Sequence, residues 1–293
     1  AIRQAMDEVD PRILLYGEGW DMGTGLRPED KAKKDNAYQL PRIGFFNDTE
    51  RDAVKGAEVY GGIKAGFVSG QATEDIVAKS ILGSSELGSY LSPDQVLNYV
   101  EAHDNFNLHD LLAELHPDDD VLTRTKRVEL ATAMNLLMQG MAFMEVGQEF
   151  SRTKLVATGE DGQVLHSDRE RAMNSYNAPD AVNQVNWNLL QDHQESIDFI
   201  KDIIRLKTSC KAFSYQTYED IYKHVFVQSA EQGSGLIIFE IKDDKHYQVI
   251  FNASGLPYYL PNADKLRLLV GNSRHKKPFY VENLTVSVFE VIQ

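Results

Sequence analysis

Cysteine is almost absent from this 293-residue chain. Cys210 alone excludes an intrachain disulfide and any thiolate metal cluster, and its place near the end of a helical segment suits a buried thiol. Basic residues are outnumbered, 30 Lys and Arg against 44 Asp and Glu, for a formal charge of -14. Nucleic acid and anionic membrane surfaces need a basic face, so neither is expected as a partner, while a neutral polymer such as a glucan meets no such objection. No long apolar run exists either. The longest, residues 134–147, is interrupted by Gln139, Gly140 and Glu145, so it is too short and too polar to span a bilayer. No signal peptide and no initiator methionine open the chain. It begins at Ala1 inside a helical pattern of Ile2, Ala5, Met6 and Val9, and the start therefore reads as an internal cut.

What is present is globular: at 42% hydrophobic, the chain can bury a substantial core, and its length suits one large domain with a small one. Strand-like runs at residues 13–17, 43–47, 97–101 and 142–146 alternate with helix-like ones near 74–82, 107–115, 121–139 and 195–209. This alternation predicts an α/β fold with a parallel sheet. In the long helix, Val128, Ala131, Asn135 and Met138 fall on one face. The acidic run Asp118-Asp119-Asp120 precedes that helix and follows Pro117, so capping explains it better than a metal site. From about residue 213 the pattern changes to short β-rich runs at 222–228, 236–242, 247–252, 266–270 and 285–292, separated by turn signals such as Gln232-Gly233-Ser234-Gly235. We expect residues 1–212 to form one domain and residues 213–293 a small antiparallel β-sandwich. Four parallel strands would leave two open edges where a closed α/β barrel needs eight, so half of a barrel is expected to be missing on the N-terminal side.

Two strand ends carry ionisable groups. Leu14-Leu15-Tyr16 runs into Gly17-Glu18-Gly19-Trp20, which delivers one carboxylate, flanked by glycines, beside an indole. Val96-Leu97-Asn98-Tyr99-Val100-Glu101 runs into Ala102-His103-Asp104-Asn105. An indole presents a flat apolar face to a sugar ring, and a carboxylic acid beside it can protonate a glycosidic oxygen. Read alone, Gly-Glu-Gly is more often a strand ending at a turn with Trp20 in the core. The second cluster shifts the balance toward a site, with Glu18 and Asp104 as its acid and nucleophile. A rival assembles Glu18, His103 and Asp104 around zinc or a similar ion; the other histidines, among them His109, His116, His166 and His193, stand at no ligand-like spacing.

Gly17-Glu18-Gly19-Trp20, then Phe45-Phe46-Asn47-Asp48 with Arg51-Asp52, then Tyr99-Val100-Glu101-Ala102-His103-Asp104-Asn105, and finally Asn174-Ser175-Tyr176 with Asp180 and Asn183, resemble type I pullulanases in order and spacing. These are debranching members of the α-amylase superfamily, built from a (β/α)₈ barrel and a C-terminal β-domain. The resemblance covers essentially the whole chain. It implies a C-terminal portion: the second half of a (β/α)₈ TIM barrel, strands five to eight, followed by the sandwich. It further implies Glu18 as general acid/base after the fifth strand and Asp104 as the stabiliser of the transition state after the seventh. His103 would bond the sugar, Trp20 would serve as an aromatic platform, and Tyr176 and Asp180 would be donor-side sugar contacts.

The family's nucleophile, an aspartate in a motif of the type D-G-F-R-F-D after the fourth strand, has no counterpart here, nor does Y-N-W-G-Y-D-P. Both would lie upstream of Ala1. The implied activity is hydrolysis, with retention, of α-1,6 branch linkages in pullulan, limit dextrins or glycogen. Isoamylase-like or amylase-like action, or a barrel that only binds glucan, are the alternatives. No cofactor is implied, and a structural calcium ion is not indicated. The implied partners are an α-glucan and the N-terminal remainder of the same enzyme, and the implied location is extracellular or on a Gram-positive cell surface.

Overall fold

The structure is a computed structural model that describes residues 1–59, 62–273 and 279–292. Four short strands, Tyr16–Gly17, Gly44–Phe46, Val96–Asn98 and Met141–Ala142, pair in parallel in chain order. The sequence runs mark all four, but the paired segments span only two or three residues. Side-chain amides continue the links where the main-chain ladder stops. Asn47 N–H donates to Leu97 O at 2.9 Å, Asn47 Nδ2 to Asn98 Oδ1 at 2.9 Å, and Asn98 Nδ2 to Gln139 O at 2.9 Å. Both asparagines are buried, and such satisfied polar ties fix neighbouring strands in one register.

The helix Val121–Leu137 is central. Asp120 caps it by accepting Thr123 N–H at 2.7 Å, as the acidic run predicts. Val128, Ala131, Asn135 and Met138 are all buried, but so is every residue from Val128 to Leu137. One-face burial gives way to burial all round because the helix packs against Leu108–Leu115, Gln194–Ser209 and the strand Thr285–Val291. Among the described residues, no helix is long and apolar enough to cross a membrane.

The C-terminal segment forms a five-stranded antiparallel sheet in the order Leu266–Gly271, Thr285–Val291, His246–Asn252, Leu236–Lys242, Val225–Ser229. Alternation along the strands sends Ile237, Phe239, Val249, Phe251, Val286 and Val288 into the main core with the helices. Ile238, Ile250 and Phe289 face the other way, toward the ribbon of Tyr258–Tyr259 and Tyr280–Val281. The expected strand at residues 222–228 is corrected at its start. Tyr218–His224 is a helix, and the strand begins at Val225. Thr217 Oγ1 accepts Asp220 N–H at 3.1 Å, with Glu219 and Asp220 in the first turn and Lys223 and His224 in the last. Capping and charge at both ends outweigh the β-preference of the tyrosines.

Candidate active site

Glu18 leaves the strand Tyr16–Gly17 on a loop that Gly19 turns. Gly19 has φ +72, and a Cβ there would meet Phe45 Cδ1 at 2.5 Å and Lys34 Cγ at 2.9 Å, so any side chain would be strained and would also collide. A Cβ on Gly17, by contrast, would face open space. Lys34 holds the loop: its N–H donates to Gly19 O at 3.0 Å, its Nζ lies 4.3 Å from the centre of the Trp20 ring, and it pairs with Asp48. A cation over one face of the indole fixes the ring's tilt.

His103 and Asp104 follow the strand Val96–Asn98, and Asn105 turns the chain with φ 65, a conformation that asparagine tolerates better than most residues. Glu18, His103 and Asp104 are exposed, and each offers a polar atom within 4.8 Å of the others. His103 Nε2 lies 3.5 Å from Asp104 Oδ1. With Trp20, Phe46, Tyr99, Arg51 and Lys55 they line a cavity of about 210 Å³. Its floor is aromatic. Phe46 meets Tyr99 edge-on at 4.9 Å and Phe143 at 5.4 Å, with Tyr16 at 6.0 Å, so each of the four parallel strands, or the residue beside it, contributes one ring.

Charged groups lie beneath that floor. Arg51 Nη1 donates to the Tyr99 hydroxyl at 2.6 Å and Arg51 Nε to Asp52 Oδ1 at 2.7 Å. Lys55 and Glu58 pair at 3.5 Å, both buried, and Glu58 accepts Phe106 N–H at 2.9 Å. Glu101 accepts Leu108 N–H at 2.7 Å and Asn107 Nδ2 at 2.8 Å, thereby capping the helix Leu108–Leu115. Burial pushes its carboxyl up to about 8 against the pull of these donors and of Lys55. Burial likewise pushes Glu50 up to about 8, although Tyr99 N–H donates to it at 3.2 Å and Arg51 stands nearby. Water is excluded from both carboxyls, and an ionised form there loses more hydration than the few donors return.

The cluster of Glu18, His103 and Asp104 has the donor set of a metal site, two carboxylates and an imidazole. A ligating histidine ordinarily has its other ring N–H held by a carboxylate or carbonyl. Among the described residues His103 has no such partner beyond Asp104, itself one of the three. The other expected sugar contacts lie outside the cavity. Tyr176 is 79% exposed, and Asp180 is exposed at the start of the helix Asp180–Asn183; neither lines the cavity. Their loop is nevertheless tied in. Asn183 Nδ2 donates to Ser175 O at 2.6 Å, and Arg152 Nη2 donates to Asn183 O at 2.5 Å.

No family model matches the chain. The pullulanase of Bacillus subtilis (strain 168) is 34% identical over 282 residues, 92% of this chain and 37% of that protein. The crystal structure of the pullulanase of Anoxybacillus sp. LM18-11 complexed with maltotetraose superimposes with a TM-score of 0.85 at 33% identity, covering 99% of this chain and 41% of that one. The pullulanase of Paenibacillus barengoltzii in complex with maltohexaose and alpha-cyclodextrin gives 0.83 at 32% identity, covering 100% and 45%. The chain is related to the pullulanases. It spans 37% of the Bacillus protein's length and less than half of either solved chain, so the relationship is to a portion of a pullulanase.

Within this pullulanase-related chain the candidate residues quoted from the sequence fall into two groups, those at the cavity and Tyr176 and Asp180 outside it. Glu18, Trp20, His103 and Asp104 meet around one cavity, with Phe46 and Arg51 from the Phe-Phe-Asn-Asp segment in its wall. Glu50, Lys55, Glu58 and Lys154 carry no sequence signal of burial: each sits in a charged stretch that reads as solvated surface. Only the position of Glu101, three residues before Asp104 on a β-rich run, could have marked it as an inward-facing acid.

Proposed function

We propose that this chain is part of a retaining glycoside hydrolase that cleaves α-1,6 branch linkages in α-glucans. In this reading residues 1–212 supply strands five to eight of a (β/α)₈ barrel, and residues 213–293 form the appended β-sandwich domain. Glu18 acts as general acid/base, Asp104 stabilises the oxocarbenium-like transition state, and His103 and Trp20 hold the sugar. Tyr176 and Asp180 reach the donor side from their loop. The nucleophilic aspartate comes from a further segment of the same enzyme. The observation that carries the reading is the meeting of Glu18, His103 and Asp104 beside an indole, after two parallel strands that flank the strand Gly44–Phe46, in a chain similar to proteins named pullulanases.

The chemistry follows from the arrangement. Glu18 is open to solvent at the cavity rim, where a leaving-group oxygen can approach and take its proton. Asp104 and the imidazole of His103 are fixed near the carbon that gains positive charge, and a preorganised carboxylate favours that charge without reorganising. Arg51 and Lys55 place positive charge in the lining of the same cavity.

A second reading is favoured by one distance. Retaining pairs bring two carboxyl groups close together, and Glu18 and Asp104 each offer an atom within 4.8 Å of the other. They could form an acid and nucleophile pair by themselves. Hydrolysis of pullulan decides. The full-length polypeptide that carries this sequence should release maltotriose, and residues 1–293 alone should release none. A slow fluorinated substrate should label an aspartate outside this chain; a label on Asp104 would establish the second reading. Binding of maltooligosaccharides without hydrolysis by the full-length protein would point to a barrel that only binds glucan, and cleavage of α-1,4 links to an amylase-like enzyme.

A further inference from the structure

We propose that Lys154 is a positioning residue whose buried ammonium locks the loop of His103 and Asp104 to the loop of Tyr176, so that one cation sets both sides of the sugar cleft. The inference rests on the glucan-hydrolase reading only for the words sugar cleft; the tether itself stands on geometry. Lys154 is 3% exposed. Its Nζ donates to Asn105 O at 2.6 Å, to Ser175 Oγ at 3.2 Å and to His103 O at 3.4 Å. An ammonium has three donors, and all three are used on acceptors in loops, two flanking Asp104 and one preceding Tyr176. None of these acceptors belongs to a strand or helix, so no ladder holds the two loops in their mutual places.

Burying a charged amine is unfavourable unless partners surround it. Burial lowers the pKa of Lys154, while Asp110, Glu101 and Glu58 favour its charged form. Its own segment is anchored from behind. Asp110 Oδ2 accepts Lys154 N–H at 2.7 Å, and Asp110 Oδ1 accepts the Thr153 hydroxyl. Arg152, two residues earlier, holds the far end of the Tyr176 loop through Asn183 O. Arg152 and Lys154 thus both hold the Tyr176 loop, and of the two only Lys154 also reaches the loop of His103 and Asp104. A lysine that served only to fill space would not need three aligned acceptors, and a solvated one would not lie under two loops.

The test is hydrogen–deuterium exchange and kinetics on the full-length polypeptide, wild type, Lys154→Met and Ser175→Ala. In Lys154→Met, amides of residues 101–107 and 174–178 should both exchange about tenfold faster or more, the scale of a lost hydrogen bond to a charged group, while those of residues 246–252 stay unchanged. Ser175→Ala should loosen residues 174–178 only. On pullulan, kcat per folded molecule should fall on the order of 10²-fold in Lys154→Met, the cost of a misplaced reacting group. Its KM should rise no further than in Ser175→Ala, which should keep its kcat. Unchanged exchange in either loop of Lys154→Met, or equal loosening of both loops in Ser175→Ala, overturns the proposal. If Lys154→Met does not fold, wild-type exchange at residues 174–178 in Ser175→Ala overturns it equally. Loosening as expected in a protein that does not act on pullulan would uphold the tether and remove the hydrolase reading.

Discussion

The parallel strand ends and the C-terminal sheet are built on opposite principles. The sheet has strands of five to seven residues, the central ones buried on both faces, and its inward positions, such as Phe239, Val249, Phe251 and Val288, are aliphatic or aromatic. The strand ends have two or three paired residues each, and Glu50, Lys55, Glu58, Glu101, Asp110 and Lys154 are packed beneath them. A regular sheet with an apolar inner face gains much of its stability from the apolar area it buries. A site that must hold exposed carboxylates at fixed positions uses buried charges and loop tethers, which cost hydration and return geometry. Under the proposed function, stability and activity are therefore concentrated in different parts of this chain.

Four substitutions would break or sharpen that contrast. The largest effect is expected at the strand ends: Glu18→Gln in the full-length polypeptide should lower kcat on pullulan by roughly 10²–10⁴-fold, the usual worth of a positioned acid, with no change in melting temperature. Near-normal turnover would remove Glu18 from the mechanism. Next, in the sheet, Phe251→Ala should cost about 3–5 kcal/mol of stability, since Phe251 is fully buried against Phe239 at 5.6 Å. Its kcat per folded molecule should be normal, and a kinetic defect without a stability defect would contradict the division of labour.

The third expectation concerns pH. Glu50 is pushed up to about 8 in the folded protein from an ordinary 4.5. Its neutral form fits the buried place, so its contribution to stability is complete below about pH 4.5 and is lost as pH rises through about 8. Glu50→Gln stays neutral throughout. Denaturant titrations should therefore show wild type losing ground to the variant between those values, by a few kcal/mol at most, with the two curves meeting at low pH. Parallel curves across the whole range would show that Glu50 is ionised when buried. The smallest effect is Trp20→Ala, which should raise KM with little change in kcat, because a stacking face holds ground state and transition state alike.

The legible part of this fold was the part written in local pattern. Strand runs broke into Gly-Glu-Gly-Trp and His-Asp-Asn, and those breaks do converge on one cavity, because parallel strands in chain order bring their C-terminal ends to one side. The Asp120 cap was legible for a similar reason, since the acceptor and its amide are three residues apart. Strand length was not, because side chains such as Asn47 and Asn98 replace main-chain pairing, and nothing in a β-rich run announces where the ladder stops. The helix Tyr218–His224 was hidden by its tyrosines. Glu50 lies in Asp48-Thr49-Glu50-Arg51-Asp52 and Lys154 in Arg152-Thr153-Lys154, and both stretches look like solvated surface. Their burial depends on residues roughly fifty positions away, Tyr99 for the one and Asn105 for the other.

The central claim is that Glu18 donates the proton to the leaving oxygen, and its most direct test is how the damage of Glu18→Gln depends on the leaving group. We predict a loss on the order of 10²–10⁴-fold with pullulan that shrinks to nearly nothing for bond cleavage in an activated aryl maltooligoside, with azide partly restoring turnover of that substrate. An equal loss with both substrates would contradict the account, because a residue whose absence matters regardless of the leaving group is not its acid.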